Sequence, residues 1–396
     1  MNPRIYILAF AAFAVGTEAH VFTGVLETLA EDLKIDLGAA GWLAASFAIT
    51  YAIAAPFMAS FVAALDRKRV LVGALFALGL VNIAGAVMPS FETLLMTRVL
   101  CGLIAPLVTP IASAVAAGLV EPERRGRALS IVLAGITLAF VLGIPLGSVV
   151  GSAFGWRATF AFSGLLALAA CVAIALILPS HPSQDRAGLA NLRIALDWPV
   201  LSNLIFNTSA FFATFSIVAY IGPIITRITG LEGAGIGAIQ MAIGGGSIVG
   251  VYLGGALADS APKAKTIATG FALNILILGL YSFWMFDPLA LPVAAKIAAL
   301  VLTLFIGSSI VFTLSPIIQN RLILAAPQDR GLALALNGST IFLGQGLGAA
   351  FAGLIVREAS LDWLGIAGAI GATISLTLAL IVTRQEARYD ESALQP

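Results

Sequence analysis

Charge is scarce in this 396-residue chain: 10% of residues are Asp, Glu, Lys or Arg, while 60% are hydrophobic and the mean hydropathy is +1.03. A soluble domain carries about 25% charged residues, so the composition implies a lipid bilayer as solvent. The 21 basic and 20 acidic residues nearly cancel to a net charge of +1, which excludes a basic face of domain size and with it a nucleic-acid partner. Cysteine is scarce too. Cys101 and Cys171 both lie in apolar runs, so neither a disulfide framework nor a thiolate metal site is expected, and packing is left as their role. No cluster of His and Cys has metal-ligand spacing, no glycine loop joins a strand to a helix, and the longest polar stretch is 179–199. No cofactor is expected, and the chain does not read as an enzyme.

What the chain has instead is long apolar runs. A hydrocarbon core of about 30 Å takes about 20 helical residues. Runs of that length fall near 5–30, 39–64, 70–88, 92–118, 128–151, 158–178, 200–226, 236–258, 264–286, 290–318, 331–356 and 363–383. The first follows Arg4 as a secretory signal would, but it continues past signal length and eleven more follow, so it reads as a retained helix. With a cytoplasmic N-terminus, fifteen of the 21 Lys and Arg fall on the inner side and four (Lys34, Arg157, Arg227, Arg357) on the outer. The positive-inside rule then predicts both termini in the cytoplasm. A multi-pass plasma-membrane protein of the bacterial inner membrane is expected.

The chain also repeats itself. "PERRGRAL" at 122–129 returns as "PQDRGLAL" at 327–334, and Leu142-Gly143 returns as Leu347-Gly348 at the same offset. The prolines and charges of 179–199 interrupt the hydropathy between the copies. The predicted fold is therefore all-α, twelve transmembrane helices in two six-helix repeats: a bundle over 1–178, a cytoplasmic linker over 179–199, and a second bundle with a short tail over 200–396. Leu189, Leu192 and Leu196 give the linker a helical apolar stripe that would rest on the membrane surface; an ordinary solvated loop is the other reading. Parallel six-helix repeats with a site between them are a transporter plan that works by alternating access.

At this point the chain resembles the major facilitator superfamily over essentially its whole length. The family's loop signature stands intact as Gly255-Ala256-Leu257-Ala258-Asp259. In the first half it survives only as Asp66-Arg67-Lys68-Arg69, with Val62 in place of its glycine. The resemblance implies a gating role for Asp66, Arg67 and Asp259, with the aspartate bracing a helix N-terminus; for the basic residues the positive-inside bias is the plainer reading. "RVLCG" at 98–102 matches the family's fourth-helix arginine motif. In "GITLAFVLGIPLGSVVG" (135–151), Gly143, Pro145 and Gly147 resemble a degenerate antiporter motif, which places the chain nearer the drug and sugar efflux branch than uptake branches. Glycines one turn apart permit close helix contact, and Pro145 removes a backbone donor and bends the helix. "GTEAHVFTGVLETLAEDL" (16–33) is similar to the first helices of arabinose, purine-nucleoside and chloramphenicol efflux proteins, with Glu27 where their proline is usual.

Polar residues inside the spans are the candidate site. Glu18 lies 13 residues beyond Ile5, about 20 Å along a helix, too deep for a short acid to reach water. An acid there can be neutral in one conformation and ionised in another, as proton coupling requires; the other reading is a permanently protonated acid hydrogen-bonded to a neighbouring helix. His20 points to another side of the helix and reads as a structural imidazole, with proton relay as the alternative. Arg98 is near enough to an end to snorkel, but the motif match favours a buried role, either pairing with an acid or holding the first-half helices in place. Lys296, at similar depth, is expected to snorkel, and Glu27 and Glu31 to sit at the outer headgroups. The proton-coupling candidates are Glu18, His20 and Arg98. The substrate-cavity candidates are Asn203, Asn207, Phe211, Tyr220, Gln240, Asn274, Asn337 and Gln345, since aromatics with a few amides suit amphipathic organic solutes; taken singly, each reads more plainly as a contact between helices. The expected activity is proton-coupled efflux of small organic molecules (drugs, nucleosides or sugars) by a monomer whose partners are substrate, protons and lipid. The alternatives are a sugar or nucleoside uptake symporter and, from another class, a non-transporting membrane sensor.

Overall fold

A computed structural model describes residues 2–62, 64–180, 192–260, 263–327 and 329–393. Among the described residues the structure is helical and contains no strand. Among the described residues, twelve helices are long and apolar enough to cross a membrane. The first six are α1 (Arg4–Asp32), α2 (Leu37–Met58), α3 (Arg67–Ala86), α4 (Phe91–Gly118), α5 (Pro122–Phe154) and α6 (Trp156–Ile177). The last six are α7 (Trp198–Val218), α8 (Ala234–Ala258), α9 (Lys265–Phe286), α10 (Val293–Ala325), α11 (Leu332–Glu358) and α12 (Leu361–Ile381). Because successive spans cross in opposite directions, Pro3, Asp66, Glu121 and Asp329 share one face, here the linker face, and the opposite face is distal.

Two spans that read as continuous in the hydropathy are broken. In α1 the α-helix ends at His20 and a tighter turn, Thr23–Val25, precedes the next helical segment. Thr23 Oγ1 donates to the His20 carbonyl at 2.9 Å, replacing a backbone donor the interrupted helix no longer supplies. Gly24 lies at the break, where an added Cβ would fall 1.8 Å from Ser148 Oγ. Only a residue without a side chain lets α1 approach α5 so closely. The seventh span stops at Val218 and resumes as a short helix, Ile221–Thr229. Pro223 has no N–H to continue the ladder, and its ring disfavours an unbroken helix just before it.

The fifth span carries a wide π-type turn, Ala139–Gly143, directly before Pro145. A proline leaves the carbonyl four residues back without its donor, and an inserted residue is a common way to accommodate this. The two 3-10 stretches at Ala105–Leu107 and Pro122–Arg124 likewise carry a proline in their first turn.

Of the connecting stretch, residues 181–191, including Leu189, lie outside the described residues. Its end, Leu192–Leu196, is a 3-10 turn. Ile194 is buried against Val200, Leu204, Leu322 and Leu336, while Leu196 is exposed. This turn docks on α7, α10 and α11 through Ile194. At the linker face Asp66 caps α3, accepting from the Arg69 N–H at 3.0 Å and from Ser180 Oγ at 2.5 Å. Arg67 is the first residue of that helix. The Asp259 side chain lies outside the described residues.

Candidate functional site

The centre of the first six helices holds an ion pair. Glu18 on α1 and Arg98 on α4 are 2% and 1% exposed, and Arg98 Nη1 donates to Glu18 Oε1 at 2.9 Å. Nη2 donates to the Glu18 backbone carbonyl at 3.5 Å and Nε to the Leu43 carbonyl of α2 at 3.4 Å. The guanidinium lies between the rings of Phe22 and Phe47, 5.1 and 4.6 Å from their centroids. Each such contact contributes about 1–2 kcal/mol when water is excluded. Arg98 thus ties three helices together, which a planar fork of five donors can do and a single ammonium cannot.

Arg98 reaches this depth because α4 starts with a firm cap. Ser90 and Thr93 form a reciprocal capping box, and Arg98 follows just over one turn after Thr93. The second carboxylate oxygen, Glu18 Oε2, is buried with no hydrogen-bond donor among the described residues, and so is Asn82 Oδ1 on α3. Asn82 and Cys101 stand beside the Glu18 carboxyl; Asn82 Nδ2 donates to the Leu78 carbonyl at 2.9 Å and lies 3.5 Å from Cys101 Sγ. Cys101 reads from the sequence as a packing residue, and Asn82 is not singled out there. Asn82 is the only amide in the α3 run, which is the signal that could have found it.

His20 is not part of this pair. Its Nδ1 donates to the Gly16 carbonyl at 3.4 Å, and its ring packs against Phe140 of α5 and Phe215 of α7, with centroids 5.2 and 5.4 Å apart. Those two rings belong to the wall of a small pocket among α7, α8, α9 and α10, about 40 Å³ in volume. Of the eight amide and aromatic cavity candidates, Phe211 and Asn274 line it. The structure puts the others to different uses. Asn203 donates to the Pro199 carbonyl at 2.7 Å and accepts from Arg321 Nε at 3.0 Å, near the linker face. Asn207 donates to the Asn337 carbonyl and side-chain oxygen, both at 3.1 Å, joining α7 to α11. Gln345 is buried on α11. Nothing in the sequence sets Phe140, Phe215, Tyr281 or Phe312 apart, because the chain has 23 phenylalanines and ten of the twelve spans carry at least one.

Tyr220 and Gln240 join the first six helices to the last six. Tyr220 Oη donates to the Gly38 carbonyl at 2.9 Å, and Ser148 Oγ on α5 donates to Gln240 Oε1 on α8 at 2.6 Å. The same two seams continue inward. On one, Tyr51 of α2 stacks on Phe342 of α11 at 3.7 Å; on the other, a Cβ on Gly244 of α8 would lie 2.3 Å from Val141 Cα. All these contacts fall in the distal part of their helices or near mid-depth. Above them opens a distal cleft lined by Glu27, Glu31, Asp32, Arg157 and Glu232, in which Asp32 accepts from Trp156 Nε1 and pairs with Arg157. Lys296, expected to snorkel, pairs with the partly exposed Asp287 in the turn from α9 to α10. A nearby carboxylate satisfies the ammonium before the headgroups do.

Known proteins resemble this chain over its full length. A sequence model described as "Major Facilitator Superfamily" matches residues 8–323. The "Inner membrane transport protein YdhP" of Escherichia coli (strain K12) is 27% identical over 391 residues, 98% of this chain and 97% of that one. The "Chloramphenicol resistance protein" of Streptomyces lividans is 30% identical over 327 residues, 81% of each chain. Among solved structures, a bacterial homologue of the human lysosomal transporter Spinster, in an inward-facing and occupied conformation, superposes with a TM-score of 0.77 at 15% identity, covering 96% of both chains.

Proposed function

Since the chain belongs to the major facilitator superfamily, we propose that it is a proton-coupled exporter of small organic molecules, acting by alternating access between its two six-helix halves. The observation that carries this reading is the buried Glu18–Arg98 pair with one carboxylate oxygen left bare. A buried ion pair costs desolvation that its own attraction barely offsets, so a stable core gains little from it, and a group that must bind and lose a proton gains a great deal.

Ionised Glu18 holds Arg98 through Oε1. A proton on the carboxyl cancels its charge and weakens the contact with Arg98, while Asn82 and Cys101 stand beside the neutral acid. Arg98 keeps the Leu43 and Glu18 carbonyls and the two aromatic faces, which hold it in place while the carboxyl alternates. Two residues along α1, His20 presses on Phe140 and Phe215. A shift of α1 on protonation is therefore felt at the cavity wall and by the second half. His20 acts here as a packing wedge, and Glu18 carries the proton. The contacts between halves in the distal parts of α2, α5, α8 and α11 support a conformer closed on that side, with cargo entering from the linker face. That face carries the positive excess and, with the termini, is assigned to the cytoplasm of a bacterial inner membrane. The efflux direction draws on the Gly143–Gly147 motif and on the chloramphenicol resistance relative.

The test is transport in proteoliposomes with an imposed pH gradient, using chloramphenicol first and then cargo found by thermal-shift screening of antibiotics, nucleosides and sugars. Glu18→Gln keeps the shape of the neutral acid but cannot ionise. It is expected to abolish uphill transport and to leave exchange of labelled cargo largely intact. Uphill transport by Glu18→Gln equal to wild type would show that the proton is carried elsewhere.

A further inference from the structure

We infer that two hydrogen bonds joining the halves act on the distal closure in opposite senses: the Tyr220 hydroxyl latches it, and the Ser148–Gln240 pair, which leaves one amide donor unmet, biases it to reopen. This rests on the alternating-access reading and adds to it the residues that position the balance between closed and open.

The latch is built where three spans meet. Gly38 of α2 and Gly353 of α11 cross in backbone contact: a Cβ on Gly38 would lie 2.5 Å from the Gly353 carbonyl oxygen, and one on Gly353 would lie 2.6 Å from that of Gly38. Tyr220, at the break that follows α7, brings its hydroxyl into this crossing. It donates to the Gly38 carbonyl at 2.9 Å, and a Cβ on Gly41 would lie 2.1 Å from Tyr220 Oη. The tyrosine is fully buried, so no water competes for the bond while the face is closed. The bond ties α2 of the first half to the short helix Ile221–Thr229 of the second. Gly222 of that helix touches the break in α1, where its Cβ would lie 2.4 Å from the Thr23 carbonyl.

The second bond is not matched in this way. Ser148 Oγ donates to Gln240 Oε1 at 2.6 Å, but Nε2 of the same amide is buried with no acceptor among the described residues. A buried donor without a partner destabilises only the state that buries it. Ile236 and Ser152, one turn along α8 and α5 from Gln240 and Ser148, line the distal cleft, so parting these helices brings the amide to water. Ser148 has another acceptor at hand, the Ile144 carbonyl of its own helix at 3.4 Å, and loses little when the pair separates. One bond therefore favours the closed state and the other its release, which keeps two conformers within reach of each other.

The experiment uses the purified full chain in detergent, with neither cargo nor a pH gradient, so its outcome is read separately from that of the Glu18→Gln transport test. The reporter is Ala349→Cys, buried on α11 at helical spacing between Gly346 and Gly353, both of which face α2. The Tyr51–Phe342 stack lies between it and the linker face, so a water-soluble maleimide reaches it when the distal side opens. Its labelling rate then follows the open population. In this background Tyr220→Phe is expected to raise the rate about fivefold, the worth of one neutral hydrogen bond. Gly41→Ala, which displaces the hydroxyl in a chain that keeps Tyr220, should raise it as well. Ser148→Ala alone should raise the rate, because the Gln240 amide loses its remaining partner. Ser148→Ala combined with Gln240→Met removes the pair and the unmet donor together and should bring the rate below that of the parent. Tyr281→Phe, which removes a buried hydroxyl elsewhere in the second half, should change nothing. A parent-like rate in Tyr220→Phe, or an equal rise in Tyr281→Phe, would overturn the latch. A double variant that labels as fast as the parent or faster would overturn the opposing role of Gln240.

Discussion

At the scale of single residues, the account turns on how Arg98 and Glu18 depend on each other. Arg98→Met would leave a carboxylate with neither water nor a cation, and removing one partner of a buried pair costs about 3–5 kcal/mol. The expected result is a large loss of thermal stability in detergent. The double variant Arg98→Met with Glu18→Gln should recover most of it, because two neutral groups need no compensation. A double variant as unstable as Arg98→Met alone would mean that the arginine stabilises through its rings and carbonyls, not through the acid. Both residues stood out in the sequence because a charge deep in an apolar run is costly. Their pairing did not, since 80 residues separate them and packing decides which faces meet. The same limit applies to Asn203: its partner Arg321 reads from the sequence as one more positive residue at the inner surface.

At the scale of elements, the seam between α1 and α5 positions Glu18. A Cβ at Gly143 would lie 2.2 Å from Thr17 Oγ1, and one at Gly147 would lie 2.3 Å from the Val21 carbonyl. Gly147→Leu must therefore push the helices apart, and overpacking of this kind costs about 1–3 kcal/mol. Lower thermal stability and weaker transport are expected from protein that still inserts. Gly126→Ala, on the same helix with nothing within 4 Å, is the control and should be neutral or slightly stabilising. Equal behaviour of the two would remove the seam from the account. The small-residue spacing of α5 was legible in the sequence, and so were the helices themselves, because hydropathy reports burial in lipid directly. The breaks in α1 and α7 were hidden because hydropathy is blind to backbone geometry: Val21, Phe22 and Ala219 are as apolar as the helices they interrupt.

At the scale of the whole molecule, the bias of Lys and Arg assigns the linker face to the cytoplasm. Cys101 and Cys171 are buried, so an introduced thiol can be read against a quiet background. Glu232→Cys, on the distal face, should react with an impermeant maleimide in intact cells, and Glu123→Cys should react only after the membrane is opened. The reverse pattern would invert the topology and with it the direction of transport. The repeat at 122–129 and 327–334 pointed to two related halves, but it said nothing about where they meet. The seams are made by glycines, Tyr220, Ser148 and Gln240, residues whose counterparts across the offset need not be alike, since each half meets the other and not itself.

The central claim is that Glu18 alternates between a carboxylate paired with Arg98 and a protonated acid near Asn82. Infrared difference spectroscopy of the protein in lipid, recorded while pH is stepped across the range in which it stays folded, observes this without needing a substrate. The expected result is a protonated-carboxyl carbonyl stretch that grows on acidification, is missing from Glu18→Gln, and shifts in frequency in Asn82→Leu, where the polar group beside the carboxyl is gone. A spectrum in which Glu18→Gln and wild type give the same pH-dependent carboxyl bands would contradict the account, since Glu18 would then keep one protonation state throughout.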